Sequence, residues 1–85
     1  MQNESTFQGK LRSIIERSGY SQVNFAKLIE TSHTSVECWL ADERMPTATI
    51  KLFIEVLAER PELFTLLAER YEQKHNKPIR KKGKA

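Results

Sequence analysis

Eighty-five residues suffice for one small domain, and a 39% share of hydrophobic side chains gives that domain only a modest core. The formal net charge of +3 leans weakly toward a nucleic-acid partner. A single cysteine, Cys38, excludes an intrachain disulfide and fits a reducing cytosol.

Charge is unevenly placed. Residues 1–76 carry nine Lys and Arg against eleven Asp and Glu, whereas residues 77–85 carry five basic side chains and no acid. The body of the chain is thus slightly acidic, and any positive surface on it arises from placement. The opening MQNESTF lacks the basic and apolar regions of a signal peptide, and no apolar run approaches the ~20 residues of a membrane span. A cytoplasmic protein that contacts no membrane is expected.

In chain order, residues 1–4 are polar and expected to fray. Ser5 with Gln8 fits a capping box for a first helix over about Thr6–Ser18, with Phe7, Leu11, Ile14 and Ile15 on one face. Gly19 suits the left-handed position that ends a helix. Ser21 is placed to cap a second helix, about Gln22–Ile29, with Phe25, Ala26 and Ile29 inward. Ser32 caps a third, about His33–Leu40, whose Val36, Trp39 and Leu40 share a face. Asp42–Arg44 form a charged loop, and Pro46 enforces a stop before a fourth helix, from about Thr47 to Glu59. That helix is apolar over most of its girth, with Leu52 and Val56 lying off the face made by Ile50, Phe53, Ile54 and Leu57, so a central position is expected. Pro61 and Glu62 suit the first turn of a fifth helix. After His75 the segment NKPIRKKGKA has almost nothing to bury and reads as a disordered basic tail over 76–85. No strand alternation and no internal repeat occurs, so the class is all-α, with one domain over 1–75.

The second and third helices, about residues 21–40, read as a helix-turn-helix, which lays its second helix in the major groove of DNA. Ala26 is small where the two helices meet. The third helix buries Val36 and Trp39 and leaves His33, Thr34, Glu37 and Cys38 free, with Ser35 beside them, all able to hydrogen-bond base edges. Blander roles stand beside these. His33 is also spaced to pair with Glu37, and Glu37 suits either a cytosine amine or a solvated acid that rejects wrong sites. His33 and Cys38, five apart, do not share a face, so no metal site is expected.

Gln22, Phe25, Ala26, Ile29, Ser32, Val36, Trp39 and Pro46 resemble the pattern of the lambda-repressor/Cro (XRE-type) helix-turn-helix family over roughly residues 7–60. The resemblance implies a compact five-helix bundle and a dimeric transcriptional repressor of double-stranded DNA. It implies a phosphate contact from Gln22, base reading by His33, Thr34 and Cys38, and backbone or flanking contacts from Ser32, Ser35 and Arg44. The turn position usually held by glycine is Glu30. The loop after the third helix carries Asp42 and Glu43 where many relatives carry basic residues. MPTATIKLFIEVLAERPELFTLL is similar to short antitoxins and to autorepressors of phages and mobile elements. This opens an alternative in which a cognate toxin protein is the main partner.

A homodimer held by the fifth helix is expected, with Leu63, Leu66 and Leu67 at the contact, because its apolar residues cover more than one face. The competing reading packs Leu66 under the first helix. No enzyme activity and no cofactor is expected, since the chain has no glycine-rich phosphate loop and no metal-spaced cluster.

Overall fold

Capping side chains set the helix starts. In the computed structural model, which describes residues 6–81, α1 spans Phe7–Ser18, α2 Gln22–Leu28, α3 His33–Leu40, α4 Ala48–Glu59 and α5 Leu63–His75. Thr6, Ser21, Ser32 and Thr47 each accept a hydrogen bond from the backbone N–H three residues on, satisfying a donor that the first helical turn leaves open. Gly19, at φ 83°, ends α1 in the left-handed region, where a side chain would be strained. The described residues are all-helical, as expected from the sequence, and none of their helices is long and apolar enough to cross a membrane.

Three local expectations are corrected. Ser5 lies outside the described residues and Thr6 is the cap of α1. The Gln8 side-chain amide donates to Asp42 Oδ1 at 2.9 Å and approaches Met45 Sδ at 3.6 Å, tying α1 to the loop after α3. Ile29 is the residue that ends α2, and Leu28, not assigned to the core from the pattern, is buried. Pro61 and Glu62 stand in a turn before α5, whose first residue is Leu63.

All five helices contribute to a single core. Leu11, Ile14 and Ile15 of α1 meet Phe25, Ala26 and Leu28 of α2, Val36 and Trp39 of α3, Ile54 and Leu57 of α4 and Phe64 of α5. Phe64 ties the ends together, its ring 6.0 Å from that of Phe25 and 6.2 Å from that of Tyr20, within the range of favourable aromatic pairs. Helix α3 packs on α1 and α2, α5 on α2, and α4 on α1.

Two expectations about the outer elements are also corrected. Helix α4 is not central. It buries Ile54 and Leu57 but leaves Leu52 61% and Val56 38% exposed, because a bundle this small covers a helix on one side only. Nor is the chain after His75 free throughout. Asn76 ends α5 in the left-handed region at φ 57°, and residues 77–81 turn back along the molecule. There Ile79 packs half-buried against the core, and the Asn24 side-chain amide donates to the Arg80 carbonyl at 2.9 Å. Ile79 anchors residues 77–81 together with one hydrogen bond. Residues 82–85 of the tail lie outside the described residues.

Candidate functional site

Between α2 and α3 the chain reverses in three residues, Ile29 to Thr31, and closes on itself with two characteristic hydrogen bonds. Thr31 N–H reaches back to the Ala26 carbonyl at 2.9 Å and Glu30 N–H to the Lys27 carbonyl at 3.1 Å. This is the Schellman pattern, and it needs its central residue in the left-handed region. Glu30 adopts it at φ 61°. A non-glycine residue there is strained. The Glu30 side chain meets Lys74 of α5, whose ammonium lies 2.9 Å from Oε2. That contact and the Lys74 charge hold the Glu30 carboxyl below the ordinary carboxylate value, with smaller help from Arg70 and His75.

The end of α3 repeats the design. Glu43 N–H bonds the Cys38 carbonyl at 2.9 Å, Asp42 N–H the Trp39 carbonyl at 3.2 Å, and Asp42 takes φ 62°. Its carboxylate is the one that accepts from Gln8. The ends of α2 and α3 are therefore each followed by an acidic left-handed residue whose side chain meets another helix.

Held this way, α3 buries Val36 completely and Trp39 almost so. The opposite stripe is open. Thr34 and Glu37 are exposed, and His33, Ser35 and Cys38 half-buried. His33 Nε2 lies 3.4 Å from Glu37 Oε2, an ion pair when the imidazole is protonated, and it joins two of the candidate base-reading side chains. Ser32 Oγ accepts from Ser35 N–H at 3.1 Å and hydrogen-bonds Ser35 Oγ at 2.9 Å, so these two hydroxyls serve first to start the helix. Gln22, exposed on the first turn of α2, follows the cap Ser21, and Arg44 is exposed in the loop between α3 and α4. His33, Thr34, Glu37 and Cys38 thus share one accessible helix, while Gln22 and Arg44 stand on its neighbours.

The three leucines expected at a dimer contact separate. Leu63 and Leu67 are half-buried against the core, and Leu66 is 50% exposed, so it does not pack under α1. The pattern reading missed a groove beside the α2–α3 turn, floored by Leu28, Ile29, Phe53, Leu67 and Tyr71 and edged by Lys27 and Arg70. Its neighbour brings together Lys27, Glu30, Tyr71, Lys74 and His75. No local signal marks these contacts, since Glu30 and Lys74 are 44 residues apart. Among the described residues, no group of three or more His, Cys, Asp or Glu is placed to hold a metal ion. No family model, curated protein sequence or solved structure matches the chain.

The Glu30–Lys74 contact has a pH signature. A carboxyl whose folded value is lowered contributes stability that is complete above its unfolded value and is lost as pH falls through the folded one. The Glu30 carboxyl, followed by NMR, is expected to titrate below the exposed glutamates of the same protein. In Lys74→Met the midpoint is expected to rise toward the ordinary value, and the loss of stability below that value to weaken. A Glu30 midpoint unaffected by Lys74→Met would show that the contact does not form in solution.

Proposed function

We propose that the protein is a sequence-specific DNA-binding regulator of the lambda-repressor/Cro helix-turn-helix kind, acting as a dimeric repressor with α3 in the major groove. The observation that carries this reading is the pairing of a fixed turn with a divided helix. The Schellman turn at Glu30 sets α3 against α2, and α3 presents Thr34 and Glu37 outward while Val36 and Trp39 are sealed in. A polar stripe of short side chains on an eight-residue helix is of the right size and chemistry for base edges in a groove about 12 Å wide.

In this reading His33, Thr34 and Cys38 contact bases, and Glu37, already joined to His33, accepts from a cytosine amine or rejects pairs that offer an acceptor there. Gln22 and Arg44 contact phosphate on either side, and Ser32 and Ser35 hold the helix start against the backbone. Helices α1, α4 and α5 form the scaffold of a five-helix repressor-like bundle over residues 1–75.

The dimer contact proposed for α5 gains a second element. Phe53 of α4 and Leu67 of α5 line one groove. Helical periodicity carries the apolar surface outward from Phe53 to Val56 and Leu52, and from Leu67 through Leu63 to Leu66. Three large apolar side chains at 61%, 38% and 50% exposure on adjacent helices are costly to leave in water. An isologous contact, with this surface facing its own copy, covers them and spaces two α3 helices for a two-fold operator.

Two measurements test the proposal. Replacing Thr34 by Arg is expected to change which duplex is preferred, each lost base contact costing about 1–3 kcal/mol, whereas Gln22→Ala weakens all duplexes alike. Unaltered preference in both Thr34 and His33 variants would remove α3 from the role of reader. For the dimer, Leu66→Glu is expected to give a helical monomer by sedimentation that binds the operator weakly. A wild-type protein that sediments as a monomer where it binds DNA would remove the dimer.

A further inference from the structure

Helix α3 carries no Lys or Arg, and its surroundings include Glu37, Asp42 and Glu43. A helix can read bases without positive charge, but affinity for a duplex comes chiefly from phosphate neutralisation. The cations must therefore lie elsewhere on the surface. Glu55, Glu59, Glu62 and Glu69 lie along α4, the turn after it and α5, with Arg60 among them, whereas Lys27 of α2, Arg70 and Lys74 of α5, and Lys77, Arg80 and Lys81 of the returning chain are exposed, as are Arg12 and Arg17 of α1 and Arg44 after α3.

That returning chain is held in a definite course. Ile79 is half-buried against the core, Asn24 of α2 holds the Arg80 carbonyl, and the Lys81 ammonium sits 5.9 Å from the centre of the Tyr20 ring. Burial pushes the Tyr20 phenol up, so the ring that Lys81 covers is neutral. Gly19 gives the space: a Cβ there would come within 3.2 Å of Lys81 Cδ. With its backbone fixed, the strap leaves Lys77 and Arg80 exposed to solvent. Farther along, Lys27 shares one groove with Lys74 and another with Arg70. The acids on this side are Glu30, which is engaged with Lys74, and Glu72.

We infer that the docked strap, together with Lys27, forms a pre-ordered basic track that binds the DNA phosphate backbone alongside the helix-turn-helix. The inference rests on the DNA-binding reading and deepens it by assigning the sequence-independent part of the affinity to these residues. A floating arm would lose conformational entropy on each contact. A strap already laid along α2 has lost most of it on folding, so its charges bind at lower cost.

The test uses the full chain and a random-sequence 25-base-pair duplex, with affinity measured across a salt series. Lys77→Gln with Arg80→Gln leaves the strap in place and removes two charges. The slope of log affinity against log salt is expected to fall by about two, at ~0.9 per phosphate. Asn24→Ala with Ile79→Ser keeps every charge and releases the strap. Affinity is expected to fall roughly three- to tenfold with little change in slope, while protease cleavage after residue 76 accelerates and helicity by circular dichroism is retained. Asn24→Ala alone is expected to give a smaller loss in the same direction.

Wild-type binding with a slope unmoved by Lys77→Gln and Arg80→Gln overturns the track and leaves the DNA reading standing. Released-strap variants that bind as tightly as wild type overturn pre-ordering. A wild-type chain that binds no duplex at low salt overturns both the track and the reading. Competition by a polyglutamate peptide as strong as that of duplex at equal charge also overturns the track, and assigns the surface to an acidic protein partner.

Discussion

The left-handed backbone at Glu30 is the constraint on which the arrangement turns. A chain that must reverse between two helices within three residues has few ways to satisfy its backbone. The pair of hydrogen bonds from Thr31 and Glu30 to the Ala26 and Lys27 carbonyls is one of them. Glycine meets the demand without strain, whereas glutamate needs compensation. Here the glutamate side chain is long enough to reach Lys74 on α5. An exposed ion pair of this kind contributes little stability by itself. It links the turn to the last turns of α5.

Helix α3 depends on this support because it cannot stand alone. Eight residues are well short of the length at which an isolated helix is stable in water. Its stability is supplied by Val36 and Trp39, which are buried among Leu11, Phe25 and their neighbours, and by the Ser32 and Asp42 ends. None of that depends on His33, Thr34, Glu37 or Cys38. A surface so decoupled from folding is free to be chosen for what it contacts, and under the proposed function its chemistry sets base preference while charge is supplied by α2 and the strap.

How much of this was legible in the sequence follows the range of each interaction. The caps at Ser21 and Ser32, the stop at Gly19 and the start near Thr47 are local, and their residues signal them within a turn of helix. The inward faces of α1 and α3 were readable from spacing, as was the polar stripe of α3. What escaped was set by contacts across the chain. The Gln8 amide donates to Asp42, 34 residues away, a contact that no local pattern signals. Leu52 and Val56 suggested a central α4, because periodicity reports which residues are apolar and not how many neighbours exist to cover them. The tail was read as free on composition, yet one isoleucine and an asparagine 56 residues distant were enough to fix its course.

The central claim is that α3 reads DNA sequence in a two-fold arrangement. Selection of bound sites from a pool of random duplexes, at a salt concentration where the protein still binds DNA, tests it most directly. One enriched motif is expected, with two symmetric half-sites whose centres lie about one helical turn, ~10 base pairs, apart. A pool that emerges unenriched while binding persists would contradict it and reduce the protein to a sequence-independent binder of charge.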